Sequence, residues 1–132
     1  MSEPLAVDHV AIAVFDADVA LEHFRDRLGL AVVHDERNDA AGARLVYLDA
    51  GPILLQLVAP LRDDAPVAAW LDEHGEGLHH LCFAADDVLG TAAALASPGA
   101  GPVTPGSGRG RTSAFVPGAP VHGTRLELTE RA

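Results

Sequence analysis

Two pairs of polar residues occur at the same spacing in the two halves of the chain. His9 and Gln56 are 47 positions apart, and His80 and Glu127 are also 47 positions apart. All four lie in short apolar segments, where a polar side chain costs free energy unless it is hydrogen-bonded or bound to a ligand. The matched spacing indicates an internal duplication, so we expect a pseudo-twofold axis on which the four side chains converge.

The first half has the pattern of one strand, one helix and three further strands. Residues 7–14 alternate larger apolar side chains with His9 and small alanines, which is the period-two signature of a strand. A helix follows, which Asp16 or Asp18 can cap and which Gly29 ends. Three strands separated by turn residues are then predicted, at 30–34, 44–48 and 53–58.

A looser copy of this pattern returns in the second half, after a connecting stretch over residues 60–76. That stretch contains a short helix that is predicted to begin at Pro66. Further along, a Gly/Pro-rich loop occupies residues 97–111. The elements predicted around this loop are a strand at 78–84, a helix at 88–96, and strands near 112–116 and 125–129.

The order of these elements predicts the fold. It is an α+β fold in which two paired βαβββ modules form a curved mixed sheet around a central metal-binding cavity. The chain of 132 residues has the size of one domain. We therefore expect a single domain over 1–132, with repeat one over about 6–61 and repeat two over about 77–130.

Charge and composition exclude several classes of protein. A formal net charge of −10 argues against nucleic acids and anionic membranes as partners, because both require basic patches. The chain contains arginine but no lysine, so Schiff-base chemistry on a side-chain amine is excluded. The single cysteine, Cys82, fits a reducing compartment and is expected to be a small buried residue. Because residues 1–4 do not resemble a signal peptide, we expect a cytoplasmic protein without a membrane span.

The four polar residues have the chemistry of a metal site. Imidazole, carboxylate and amide groups suit a borderline divalent cation, so we predict one Co, Mn, Ni or Zn ion bound by His9, Gln56, His80 and Glu127. An octahedral shell would then keep two positions for water or for a chelating substrate. Small residues leave room for that substrate on the histidine face, because period two places these side chains there: Ala11, Ala13, Cys82 and Ala84.

The remaining polar residues allow less specific predictions. Arg125 shares the expected cavity face with Glu127, and it would either contact a substrate carboxylate or lie solvated at the sheet edge. His79 points away from the cavity and is interpreted as a packing or supporting residue. The other histidines are expected at the surface: His23, His34, His74 and His122.

Four short segments carry the residues of a known family pattern. They read DHVAIA at 8–13, QLVAPL at 56–61, GEGLHH at 75–80 and GTRLEL at 123–128. These segments resemble four successive motifs of the methylmalonyl-CoA epimerases, a branch of the vicinal oxygen chelate superfamily. The resemblance covers nearly the whole chain, and it implies the same four metal ligands, with the second histidine of the pair as the ligand.

The resemblance also implies a reaction. The family catalyses a 1,2-proton shift on a methylmalonyl-CoA-like acyl thioester, through an enolate that a divalent metal stabilises. Glu127 would then be one proton carrier as well as a ligand. The implied partners are a small-molecule substrate, an acyl-CoA, and a second copy of the chain in a homodimer.

The chain departs from the family pattern in the third strand, at a position that bears on this reaction. Some members have a second glutamate in the third strand, whereas this chain has Leu45 there. Tyr47 projects from the same face and is the candidate for the second proton carrier, with a hydroxyl at the pocket rim as the alternative role. In the Gly-rich stretch 106–111, Arg109 and Arg111 are the candidates for binding substrate phosphates, with a flexible loop as the alternative.

Two other functions remain open. One is a glyoxalase-like lyase, or a metal enzyme of the same superfamily that modifies a specialised metabolite. The other is a metal-free protein that binds and sequesters a small molecule, for which loss of ligand residues would be the sign. A ring-cleaving dioxygenase is disfavoured, because Gln56 would occupy a position that a two-histidine, one-carboxylate iron site keeps open.

Overall fold

The computed structural model describes residues 4–132, in which the order βαβββ occurs twice. The first set comprises β1 (Ala6–Ala13), α1 (Ala17–Leu21) with a π-helical continuation (Glu22–Arg27), β2 (Val32–Asn38), β3 (Ala43–Asp49) and β4 (Leu54–Pro60). A connecting helix, α2 (Pro66–His74), precedes the second set: β5 (Gly77–Ala85), α3 (Val88–Leu95), β6 (Gly106–Gly108), β7 (Arg111–Phe115) and β8 (Leu126–Glu130). The predicted α+β class and its two βαβββ modules are confirmed.

The described residues form two compact units. The N-terminal unit consists of residues 10–79, and the C-terminal unit consists of residues 4–9 together with 80–132. The first strand of each set is divided between the units: β1 gives residues 6–9 to the C-terminal unit, and β5 gives residues 77–79 to the N-terminal unit. His9 therefore belongs to the same unit as His80 and Glu127.

Both sets place their strands in the same order. The N-terminal set runs β2, β3, β4, β1, and the C-terminal set runs β6, β7, β8, β5, so the first strand lies beside the last in each. Strands β5 and β8 are parallel, whereas the β2–β3, β3–β4, β6–β7 and β7–β8 pairs are antiparallel. The strand pairing is therefore mixed, as predicted.

Each unit has its own apolar core. Successive residues of a strand point to opposite faces of the sheet, so each face can bury its own set of apolar side chains. In the N-terminal unit, one face of the sheet packs against α2, and Tyr47 and Leu71 lie in this contact. Its other face packs against α1, with Leu21 and Leu57 in the contact. In the C-terminal unit, Ala92 of α3 lies in a cluster with residues of β5, β7 and β8.

The first helix begins as predicted but changes its geometry midway. The Asp16 carboxylate accepts hydrogen bonds from the backbone N–H groups of Asp18 and Val19, at 2.9 and 3.1 Å, and so caps the helix. The α-helical part ends at Leu21, and π-helical geometry then continues to Arg27. The expectation of one regular helix was therefore wrong in its second half.

The Gly/Pro-rich loop predicted over 97–111 contains a strand that the sequence did not indicate. Strand β6 pairs with β7 in an antiparallel hairpin, although its sequence Gly-Ser-Gly has no apolar or β-branched side chain. Arg109 and Gly110 form the turn, with φ angles of 54° and 70°. The prediction of a loop over this whole segment was therefore wrong from residue 106 onward.

Residues 1–3, which belong to the segment used to argue against a signal peptide, lie outside the described residues. Over residues 4–132, no helix combines the length and the apolar character that a membrane span needs.

Candidate metal centre

Three of the four predicted metal ligands lie together in the C-terminal unit. His9 lies in β1, His80 in β5 and Glu127 in β8. The parallel pairing of β5 with β8 places Cys82 opposite Glu127. Because residues two apart share a face of a strand, His80 points to the same side as Cys82 and Glu127. The period-two pattern thus places His80 and Glu127, two of the predicted ligands, on the same side of the sheet.

The ligand atoms form a compact triangle. His9 Nε2 lies 3.3 Å from His80 Nε2 and 3.3 Å from Glu127 Oε1, and His80 Nε2 lies 3.1 Å from the same oxygen. With metal–ligand bonds of about 2.1 Å, neighbouring ligand atoms are about 3.0 Å apart in an octahedral shell and about 3.4 Å apart in a tetrahedral one. The observed separations lie between these values, so the three donors fit one divalent cation.

Burial and neighbouring polar groups shift the pKa values of Glu127 and His9 in opposite directions. Burial alone would raise the pKa of Glu127, but hydrogen bonds with His80 and His9 lower that pKa far below its usual range. Burial alone would lower the pKa of His9, but hydrogen bonds with Asp8 and Glu127 raise it above its usual value. The Glu127 side chain, which is 13% exposed, is therefore an ionised carboxylate facing two imidazoles.

Asp8 supports the site from behind the His9 ring. Its Oδ2 accepts a hydrogen bond from His9 Nδ1 at 2.7 Å, which leaves His9 Nε2 to face the other two ligands. Burial would raise the pKa of Asp8, but the His9 hydrogen bond and the nearby Arg109 guanidinium lower it. Asp8 is therefore a carboxylate anchor for His9, one of the predicted metal ligands. Asp8 belongs to the first family motif, but its position in the sequence did not indicate this role.

The two arginines suggested as phosphate ligands both approach Asp8. Arg109 Nη2 donates a hydrogen bond to Asp8 Oδ2, and Arg111 Nη1 lies 3.7 Å from Asp8 Oδ1. The Arg109 side chain is 11% exposed, whereas that of Arg111 is 27% exposed. A role for either in binding phosphate stays a prediction.

An aromatic contact joins His80 to a small cavity in the C-terminal unit. The Phe115 and His80 rings meet edge to face with their centroids 5.0 Å apart, and the Arg125 guanidinium carbon lies 4.5 Å from the Phe115 centroid. Phe115 and Arg125 also line a cavity of about 110 Å³ within residues 115–126. Burial lowers the pKa of Arg125, and the charge of Glu127 opposes that shift. A half-buried guanidinium beside a cavity suits an anionic substrate group.

The fourth predicted ligand, Gln56, lies in β4 of the N-terminal unit. Its side chain is buried, and Gln56 Oε1 has no hydrogen-bond partner among the described residues. A buried amide oxygen of this kind is costly unless an external group binds it. Tyr47, also buried, is the direct partner of Gln56 across the antiparallel β3–β4 pair, so the two side chains share a face.

Two polar residues of β2 face Leu45 and Tyr47, and the sequence analysis gave neither a chemical role. Glu36 is the cross-strand partner of Leu45, and His34 is the partner of Tyr47. His34 Nε2 lies 3.1 Å from Glu36 Oε1, and the His34 and Tyr47 rings are 5.8 Å apart. The His34 side chain is 41% exposed, which agrees with its prediction as a surface residue. The strand was expected to end at residue 34, whereas β2 continues to Asn38.

The remaining histidines and Cys82 agree with their predicted surroundings. The three other histidines predicted at the surface are exposed: His23, His74 and His122. His79 is half-buried and packs against Trp70, with ring centroids 4.9 Å apart. Cys82 is fully buried, and burial raises the pKa of its thiol, so the thiol is neutral. A neutral thiol makes the group Asp8, His9 and Cys82 a poorer metal site than the triangle.

The fold and the site define the class of protein. Residues 8–116 match the family model described as the Glyoxalase/Bleomycin resistance protein/Dioxygenase superfamily. The chain therefore belongs to this superfamily, which confirms the membership that the sequence motifs indicated.

Within the superfamily, the chain is similar to methylmalonyl-CoA epimerases. The ethylmalonyl-CoA/methylmalonyl-CoA epimerase of Cereibacter sphaeroides is 30% identical over 95 residues, which is 71% of each chain. A solved methylmalonyl-CoA epimerase in complex with methylmalonyl-CoA and NH4+ has a TM-score of 0.83 and 34% identity, covering 98% of this chain and 96% of the other. The uncharacterized protein YqjC of Bacillus subtilis is 38% identical over 77 residues, which span 58% of this chain and 55% of YqjC. The predicted resemblance is confirmed.

Proposed function

We propose that the protein is a metal-dependent epimerase that shifts a proton at the carbon alpha to the thioester of a methylmalonyl-CoA-like substrate. The observation that carries this proposal is the triangle of His9, His80 and Glu127, whose donor atoms are 3.1 to 3.3 Å apart. The substrate class is supported by the relatives named as methylmalonyl-CoA epimerases, one of them solved with methylmalonyl-CoA.

The proposed cation has four protein ligands. His9, His80 and Glu127 supply three of them, and Gln56 is proposed as the fourth because of its matched spacing and its buried amide oxygen. Two imidazoles, one carboxylate and one amide suit Co, Mn, Ni or Zn. A bound ion of this kind supplies Lewis acidity, which stabilises the negative charge that develops on the substrate oxygens.

Glu127 and Tyr47 are the proposed proton carriers. Epimerisation needs one group to remove the proton from one face of the carbon and another to return a proton to the opposite face. Glu127 is ionised, which is the charge state that a proton acceptor needs, and two histidines hold its carboxylate in place. Tyr47 has a hydroxyl that can donate one, and its ring contacts His34, which is half-buried and so in reach of solvent protons.

Two arginines are proposed to recognise the substrate. Arg125, beside the cavity lined in part by Phe115, is proposed to bind the free carboxylate of the acyl group. Arg111, the more exposed arginine of the β6–β7 hairpin, is proposed to contact a phosphate of coenzyme A. Arg109 is not included, because its contact with Asp8 supports a different role.

Deuterium exchange at C2 tests the proposed reaction. Cobalt-loaded protein is incubated with (2R)- or (2S)-methylmalonyl-CoA in deuterated water, and loss of the C2 proton is followed by NMR alongside inversion of the centre. We expect exchange and inversion with both substrates, and neither after treatment with a chelator. No exchange from either substrate at high protein concentration contradicts the epimerase, and full exchange in chelator-treated protein contradicts the metal dependence.

A glyoxalase-like lyase, or a metal enzyme that modifies a specialised metabolite, is the second candidate. The observation that favours it is Leu45, which stands where some epimerases have a second glutamate and which is buried in an apolar cluster. A proton shift between adjacent carbons can be carried by one group on one face of the substrate, whereas epimerisation needs a carrier on each face. Protein that binds the cation tightly, leaves methylmalonyl-CoA unchanged and converts a hemithioacetal would support this candidate.

A cytoplasmic homodimer completes the proposal. The one cysteine, Cys82, is free and buried, which fits a reducing compartment. Light scattering on the purified protein checks the dimer, and a monomer over the micromolar range contradicts it.

A further inference from the structure

We propose that Arg109 is a positioning residue, which acts through Asp8 to hold His9 in the orientation and tautomer that bind the cation. Neither the sequence motifs nor the assigned ligands include this role. The inference rests on the metal site of the proposed function, but it does not depend on which substrate that site takes.

The backbone at Arg109 is the first observation. Strands β6 and β7 pair with Gly108 opposite Arg111, so Arg109 and Gly110 alone form the hairpin turn. Both have positive φ angles, 54° and 70°, as a two-residue type I′ turn requires. Asparagine or glycine adopts this conformation at the first turn position more readily than arginine does. The turn therefore carries a less favourable residue than its geometry prefers, which calls for a compensating contact.

The side chain of Arg109 supplies that contact. It is 11% exposed, and Nη2 donates a hydrogen bond to Asp8 Oδ2. This same oxygen accepts the 2.7 Å hydrogen bond from His9 Nδ1. The Arg109 guanidinium thus holds the Asp8 carboxylate, and the Asp8 carboxylate holds the His9 imidazole. Arg109 and Asp8 are 101 positions apart in the sequence.

The consequence concerns the metal-facing nitrogen of His9. With Nδ1 donating to Asp8, Nε2 is the ring nitrogen that faces His80 Nε2 and Glu127 Oε1, each 3.3 Å away. If the Asp8 carboxylate could rotate, the His9 ring would lose its anchor and its preferred tautomer. Supporting hydrogen bonds of this kind are typically worth about 10- to 100-fold in metal affinity.

The test is Arg109→Asn, which keeps a residue suited to the turn and removes the guanidinium. Apo protein is titrated with Co(II) by calorimetry at one pH, and thermal unfolding of the apo protein is measured in parallel. We expect Co(II) affinity to fall about 10- to 100-fold, while the unfolding temperature stays the same or rises. The matched control is Arg37→Asn, which removes an arginine that is 68% exposed and 4.0 Å from Asp39, and which should change neither value.

Two further variants make the result specific to Asp8. Asp8→Asn should weaken Co(II) binding by a similar factor, and the double variant should lose no more than the larger single loss, because both changes remove one connected contact. Arg109→Lys, which keeps a cation, should recover part of the affinity. It also serves if the asparagine variant does not fold.

The outcomes separate this inference from the proposed function. Co(II) affinity within twofold of the original protein in Arg109→Asn overturns the inference, as do additive losses in the double variant. A variant that binds Co(II) normally but shows a raised KM for the CoA ester alone would also overturn it, because Arg109 would then be a phosphate ligand. Original protein that binds Co(II) but gives no exchange at C2 contradicts the epimerase and leaves the inference standing.

Discussion

The two units carry the same order of elements but treat their polar residues differently. In the C-terminal unit, His9, His80 and Glu127 contact one another, and Asp8 holds His9 from behind. In the N-terminal unit, Gln56 is buried in an apolar strand, and its Oε1 has no hydrogen-bond partner within residues 4–132. The comparison teaches that one half of a duplicated scaffold can stabilise its own charges, while the other half can bury a polar group whose hydrogen-bonding capacity is not met within the protein.

The largest expected effect comes from breaking the charged cluster. Glu127→Ala removes the carboxylate ligand and the proposed base, so we expect kcat/KM to fall by about 10³-fold or more and Co(II) binding to weaken. Steady-state kinetics and calorimetry measure both. Glu130→Ala, an exposed change in the same strand, is the control and should leave both nearly unchanged. Activity that survives in Glu127→Ala would remove Glu127 from the reaction.

A smaller effect is expected from Tyr47, which separates proton transfer from metal binding. Tyr47→Phe keeps the buried ring and removes the hydroxyl, so kcat should fall by about 10²-fold while Co(II) affinity stays the same. Exchange measured separately from each epimer shows which face loses its carrier. An unchanged rate from both epimers would show that Tyr47 is not a proton carrier and that its hydroxyl has a structural role.

Gln56 and His80 test the contrast between the units directly. Gln56→Leu should weaken Co(II) binding by about tenfold or more, yet stabilise the apo protein by about 1 kcal/mol, because a buried oxygen with an unmet hydrogen bond is removed. His80→Leu should weaken Co(II) binding and destabilise the apo protein, because Glu127 loses a hydrogen-bond partner. Chemical denaturation of the two apo variants measures the difference. Equal destabilisation of the two apo variants would contradict the proposed difference between the two units.

The smallest effect is a dependence on pH with two opposite slopes. The pKa of His9 is raised in the apo fold, so its contribution to stability is complete below the unfolded-state value and is lost as pH rises through the folded-state value. Metal affinity changes in the other direction, since binding requires neutral imidazole, and it should gain up to about tenfold per pH unit while one proton is displaced. Unfolding of apo and Co(II)-loaded protein between pH 6 and 8.5 should therefore diverge as pH rises. Parallel curves would contradict this assignment.

Much of the fold was readable because strand and helix patterns are local. Alternation in residues 7–14 and 78–84 predicted β1 and β5 to within a residue or so, and Asp16 was recognised as a candidate cap. The geometry of the second helical half was not readable, because an apolar period does not distinguish α from π hydrogen bonding. Strand β6 was missed because a Gly-Ser-Gly segment forms a strand only through its pairing with β7.

The candidate site was also predictable only where the signal is local or repeated in the sequence. Spacing alone selected His9, Gln56, His80 and Glu127, because period two fixes which face a side chain occupies and a repeat places equivalent residues at equal distances. Nothing in the spacing pointed to the pairing of Glu36 with Leu45 or of His34 with Tyr47. Those pairs depend on the register between β2 and β3 and on how far β2 extends.

The sequence by itself determined the superfamily through the resemblance of its four motifs, and it determined the βαβββ order and the ligand candidates through residue types at short or repeated spacings. Only the tertiary structure decided that the donor atoms of His9, His80 and Glu127 meet within 3.3 Å and that Arg109 reaches Asp8 rather than solvent. The physical reason is that a hairpin turn sets where Arg109 points, while its partner lies 101 positions earlier in another strand. No local pattern encodes a contact of that range, because its energy exists only once both strands are in place.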